Sequence, residues 1–210
     1  MSAIIVWQIG KLKYLNHTMK KNHHYIIYKP YRMVSQFITN DRHQKNKRFL
    51  GELYDFPENC MAIGRLDENT EGLLLITTDG KFSYHINKSG DFDKEYYAQV
   101  DGLVDENAIN ALKKGVTIAV EGKQYVTKPA ICRRLDVPDL PVTTQRIRDD
   151  RHGPTSWISI TIKEGKFRQV RKMCAAVGFP VLRLVRIRIG NYTLSSLEGN
   201  SVKEITEVIF

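Results

Sequence analysis

Cysteine is scarce in this chain, and what there is lies far apart. Cys60, Cys132 and Cys174 are odd in number and show no C-x-x-C spacing. That excludes a disulfide framework and a zinc knuckle, and a reducing compartment such as the cytoplasm fits best. Long hydrophobic runs are missing too. Residues 4–7 (IIVW) are too few for a signal h-region or a membrane span, so no membrane partner is expected. No repeat or low-complexity tract occurs. His23 and His24 stand together without further ligands at metal spacing and read as surface histidines, so no metal site is expected. Carboxylates are in deficit: 23 Asp and Glu face 32 Lys and Arg, for a net charge of +9. A basic surface speeds encounter with polyanions, of which phosphate backbones are the commonest. A mildly basic solvated surface is the bland alternative, and the placement of the arginines must decide.

What remains is ordinary globular material. A chain of 210 residues, 42% hydrophobic and 26% charged, suits one large domain or two small lobes sharing a core. The start is set apart. Lys11, Lys13, Lys20 and Lys21 follow the short apolar run, and Met19 reads like a second natural beginning. The expected organisation is a poorly ordered extension over residues 1–22 and one domain over 23–210.

Residues 25–28 (YIIY) read as a short strand stopped by Lys29-Pro30, and 40–48 (NDRHQKNKR) as a basic surface loop. Residues 73–77 (LLLIT) are too few for a helix and read as a buried strand. Asp79 can cap a short helix over 81–86. Residues 94–100 (KEYYAQV) form a tyrosine-rich strand. Asp105 caps a helix that Gly115 ends. A weaker strand covers 128–135, and 157–162 (WISITI) alternates as a half-buried strand. Residues 167–177 (FRQVRKMCAAV) read as a helix, and 181–189 (VLRLVRIRI) as a strand carrying arginines. Strands first, a helix inserted, then strands again favour an α+β fold with a mixed, mostly antiparallel sheet and flanking helices.

At about 100° per residue, Phe167, Val170, Met173, Cys174 and Val177 share one helix face, with Arg168, Arg171 and Lys172 opposite. Such a basic stripe is usually a solvated face. Here Lys166 precedes it, and Arg183, Arg186 and Arg188 follow. Carboxylates to neutralise them are scarce in the nearby sequence. An RNA backbone would do so, and so would an aspartate held in a cleft, for which Asp67 is the candidate.

Four stretches in order resemble the RsuA branch of the pseudouridine synthases. GRLDENTEGLLLITTDG (64–80) resembles the segment around that family's catalytic aspartate. KPYRMVSQF (29–37) resembles its N-terminal strand motif, KEYYAQVDG (94–102) its K-x-Y segment, and 164–194 its closing motif. The match covers nearly everything from Tyr25 onward. GRLD alone would be a weak signal, but followed by the long motif it is specific. Within the branch the likeness is to a large-subunit rRNA enzyme, and there is no room before Tyr25 for the S4-like domain with which many members begin.

The resemblance implies the pseudouridine synthase fold, two lobes around a central catalytic cleft, and conversion of one uridine in ribosomal RNA to pseudouridine without metal or cofactor. It implies Asp67 as the carboxylate acting on the ribose, as nucleophile at C1′ or as base at C2′. Tyr96 would be the platform for the detached base, and Arg171 the partner that holds Asp67 ionised. Arg65 would help to flip or replace the base. Lys94, Lys166, Arg168, Lys172, Arg183 and Arg186 are the candidate RNA contacts. Taken as bare residues, Asp67 reads as an Asx-turn, Tyr96 as a core strand tyrosine and Lys94 as a solvated strand end. A noncatalytic RNA-binding or ribosome-assembly protein on the same scaffold is one rival. A glycoside hydrolase using Asp67 and Glu71 is another. A monomer is expected.

Overall fold

The structure, a computed structural model, describes residues 21–39, 46–88, 90 and 92–206. The expectations for residues 1–20 and for 40–45 of the basic loop lie outside the described residues. The strands are β1 (His24–Lys29), β2 (Met61–Ile63), β3 (Glu71–Thr77), β4 (Lys94–Asp101), β5 (Thr117–Val120), β6 (Lys123–Val126), β7 (Ile131–Leu135), β8 (Thr155–Ile162), β9 (Val181–Ile189), β10 (Tyr192–Thr193) and β11 (Val202–Glu204). The α-helices are α1 (Gly80–Lys88), α2 (Glu106–Lys114) and α3 (Gln169–Ala176).

One nine-stranded sheet runs β11-β1-β3-β9-β4-β8-β7, with β2 added to β3 and β10 to β9. Every pairing in it is antiparallel except β3–β9. The expected α+β class is therefore what the chain adopts. No described helix is long and apolar enough to cross a membrane.

The aliphatic run of β3 is unbroken because both of its faces are covered. Leu73 and Leu75 join a cluster with Phe82 and Ile86 of α1. Leu74 and Ile76 point the other way, toward Met33, Leu50 and Phe56. Asp79 does cap α1, its Oδ1 accepting from the Lys81 and Phe82 amides at 2.8 and 3.3 Å. A separate core lies under β4, β8 and α2, where Ala98, Val100, Ile109, Leu112, Ile158 and Ile160 are buried with Met173 and Cys174 of α3. Asp105 accepts from Ala108 N at 2.7 Å, and Gly115 ends α2. These apolar clusters are the two expected lobes.

The lobes join where β3 meets β9, through two registered pairs, Glu71↔Val185 and Gly72↔Arg186. Gly72 has φ +106°, and a Cβ there would stand 2.2 Å from the Arg186 carbonyl oxygen. Only glycine permits this approach. Gly72→Ala should cost about 2–3 kcal/mol through strain and displacement of β9, read as a lowered urea midpoint. Wild-type stability in that variant would mean the junction tolerates a gap.

Three details differ from the sequence expectations. A β5–β6 hairpin, turning at Glu121 and Gly122 with φ of 50° and 75°, fills a stretch with no assigned element. The signal was present, a residue-glycine pair between two alternating runs. His24 is buried, with its Nδ1 2.9 Å from Thr77 Oγ1, rather than on the surface. Finally, α3 starts at Gln169, so Phe167 lies outside it.

Candidate active site

A cleft of about 450 Å³ opens at the lobe junction. One wall is the loop from Gly64 to Thr70, the floor is Lys94, Tyr96, Leu184 and Arg186, and the far wall is residues 162–170. Of the sequence candidates, Asp67, Tyr96, Arg65, Lys94, Lys166, Arg168 and Arg186 all line it.

Asp67 sits half-buried on a loop whose backbone is gripped around it. Ser35 Oγ donates to the Leu66 carbonyl and accepts from the Leu66 amide, each at 2.9 Å. The Glu68 carbonyl accepts from the Arg32 amide at 2.9 Å. The Thr70 amide donates to the Asp67 carbonyl at 3.0 Å, closing a turn. Arg171 Nη2 donates to the Asn69 carbonyl at 2.6 Å, and Nη1 to the Val181 carbonyl at 3.2 Å. The aspartate is thus held by contacts that leave its carboxylate free to face the cleft.

Arg171 therefore reaches the Asp67 loop through a main-chain oxygen. No ion pair joins it to the Asp67 carboxylate among the described residues, and the two are coupled only at longer range. Burial lowers the Arg171 pKa, Arg168 adds to that effect, and Asp67 opposes it. Its Nε is buried with no partner among the described residues, as are Thr70 Oγ1 and Arg186 Nη2.

Lys29 was unassigned in the sequence beyond its motif. It is wholly buried, and its Nζ donates to the carbonyls of Met33 at 2.7 Å, Pro30 at 3.0 Å and Glu68 at 3.4 Å. Burial pulls its pKa down to about 7, against the charges of Glu71 and Glu68. The unfolded chain keeps this proton to about 10.5, while the folded protein loses it above about 7. Folding stability should therefore rise with pH across that window, by up to about 1.4 kcal/mol per pH unit. Urea unfolding at pH 7 and 9 should show wild type gaining on Lys29→Met, and equal gains would count against it.

The cations of the list fall into different settings. Lys94 is lowered chiefly by burial and then by the charge of Arg186. Arg186 is buried and donates from Nε to the Leu73 carbonyl at 2.8 Å. Lys166 rests over the Tyr125 ring, 4.8 Å from its centroid. Lys172 lies off the cleft and donates to the Ala119 carbonyl at 2.6 Å. Arg183 must be corrected. It is 8% exposed and pairs through Nε with Glu71 Oε2 at 2.8 Å, while Tyr28 donates to Glu71 Oε1 at 2.9 Å. It is a buried strut and presents nothing to a phosphate. The expected shortage of carboxylates is corrected with it. The sheet brings Glu71 to Arg183, and Asp93 and Glu95 to Arg188 at 2.7 and 3.0 Å. Strand pairing supplied partners distant in sequence. With Glu71 so engaged, a paired-carboxylate site with Asp67 has no second member there. Among the described residues no cluster of three or more His, Cys, Asp or Glu could hold a metal.

Comparison with known proteins gives the same picture. The family model of RNA pseudouridylate synthase matches residues 23–176. Ribosomal large subunit pseudouridine synthase E of Vibrio parahaemolyticus is 39% identical over 86% of this chain and 72% of its own. The protein of that name from Xanthomonas axonopodis pv. citri is 39% identical over 82% of this chain and 88% of its own. A crystal structure of a pseudouridylate synthase superposes with a TM-score of 0.69 at 28% identity, covering 90% of this chain and 72% of that one. With the family model matching most of the chain and relatives at 39% identity, the chain belongs to the RNA pseudouridylate synthase family.

Proposed function

We propose that this protein isomerises one uridine of large-subunit ribosomal RNA to pseudouridine, and that residues 23–210 are the catalytic unit. The observation that carries the reading is Asp67, presented to a nucleotide-sized cleft with Tyr96 in its floor. The names and 39% identity of the relatives favour a large-subunit target.

A base stacked in an RNA helix is out of reach, so the uridine must swing into the cleft. The N1–C1′ bond breaks, the uracil turns, and C5 bonds to C1′. The C5 proton is lost and N1 ends with a proton. Asp67 acts on the ribose, by attack at C1′ or by proton abstraction at C2′. Tyr96 takes the part of a platform for the free uracil, and we assign its hydroxyl a part in removing the C5 proton. Arg65, exposed on the loop beside Asp67, is set to fill the space the base leaves. Arg171 fixes the loop through Asn69, Lys94, Lys166 and Arg168 supply positive charge for the RNA backbone, and the buried Arg186 braces the floor through the Leu73 carbonyl.

The test is tritium release from rRNA labelled at uridine C5 and taken from cells lacking the protein. Release without added metal or cofactor supports the reading. RNA binding without release would favour an assembly protein on the same scaffold.

A further inference from the structure

Phe167 is placed where a core phenylalanine would not be. Its ring is 68% exposed and belongs to none of the three apolar clusters. The cause is local. Arg168 takes a left-handed conformation, φ 53° and ψ 34°, which side chains with a Cβ adopt only at a cost. The chain enters α3 through that kink, and the kink keeps Phe167 off the helix face to which its spacing assigns it.

The kink delivers the ring to the cleft. Phe167 is part of the wall that faces the loop of Arg65 and Asp67. Lys166 and Arg168 flank it on the chain, and Lys172 Nζ lies over one face of the ring, 5.4 Å from its centroid. A phenyl ring has no hydroxyl, so it offers no proton chemistry, only a flat face and apolar area. Cations beside an exposed ring are the combination that holds single-stranded nucleic acid, where phosphates meet the charges and bases meet the ring. Flipping one nucleotide also strips its neighbours of a stacking surface. The mouth of the cleft is where those neighbours must pass.

We propose that Phe167 is a base-stacking platform for a nucleotide flanking the flipped uridine, distinct from Tyr96 beneath the target base. The proposal rests on the RNA-modifying reading above. It makes Phe167 a substrate-positioning contact whose effect falls on binding and not on the chemical step.

The test uses the whole protein and an unmodified large-subunit rRNA transcript tritiated at uridine C5. Phe167→Ala should raise Kd and KM about ten- to hundred-fold, the range of one lost base stack, with kcat near wild type. Phe167→Tyr and Phe167→Trp should stay close to wild type. Phe167→Leu keeps the apolar bulk without the π-face and should behave like alanine. Thermal midpoints should be equal throughout, because the ring supports no core. An alanine variant with unchanged Kd, or a leucine variant that restores it, would overturn the proposal. A separate arm distinguishes its failure from that of the function. Emission of Phe167→Trp, corrected for Trp7 and Trp157 with wild type, should be quenched by a single-stranded oligouridylate. Quenching supports the platform even if wild type releases no tritium, and absence of quenching overturns it even if wild type is active.

Discussion

Asp67→Asn should abolish tritium release while leaving RNA binding intact. The expected fall is at least about 10³-fold in turnover, equivalent to roughly 4 kcal/mol of transition-state stabilisation. The amide has nearly the same shape as the carboxylate but can neither attack C1′ nor take a proton from C2′. The fold should not notice. The loop is held through Ser35 on Leu66, Arg32 on Glu68 and Arg171 on Asn69, none of which involves the Asp67 side chain. Binding should hold or tighten slightly, since one negative charge leaves a cleft lined by Arg65, Lys94, Lys166 and Arg168. Release by the variant at the wild-type rate would remove Asp67 from the chemistry.

Arg183→Met should instead damage the fold. Removing one member of a buried ion pair strands the other, at about 3–5 kcal/mol. For a chain of this size that corresponds to roughly 6–20 °C in Tm. Glu71 would keep Tyr28 as a donor but lose its ion-pair partner, and the Pro141 carbonyl would lose the Arg183 Nη2 donor that it accepts at 2.7 Å. Adding Glu71→Gln should recover part of the loss, because a neutral amide can still accept from Tyr28. The salt dependence of RNA binding should not change, since Arg183 touches no phosphate. A stable Arg183→Met protein with a shallower salt slope would reverse both assignments.

These expectations also separate what the sequence could and could not reveal. The elements with strong local signals were legible: the aliphatic β3, the capping aspartates 79 and 105, and the alternation of β8. The cleft residues were legible because Asp67 and Tyr96 stand in motifs. Arg183 and Phe167 were not. Strand β9 shows its arginines at near-regular intervals, yet the fates of Arg183 and Arg186 depend on β3, more than a hundred residues earlier, and that of Arg188 on Asp93 and Glu95. Phe167 has the right spacing for a helix face, and a single left-handed residue removes it. Ser35 and Lys29 act on main-chain oxygens of a loop some thirty residues away, and spacing carries no trace of such contacts.

The two-pair junction at Gly72 has a consequence for how the molecule is made. Strands β3 and β4 are not paired with each other; β9 lies between them and is synthesised after both. Until it emerges, β4 lacks its partner along Lys94 to Val100 and β3 lacks one at Glu71 and Gly72, so no strand ties the segment beside Asp67 to the strand that carries Tyr96. The cleft therefore closes only after β9 has been translated and has paired with both strands. A ribosome stalled before residue 181 would hold a chain without the strand that links the two lobes, with the β4 edge open to wrong partners.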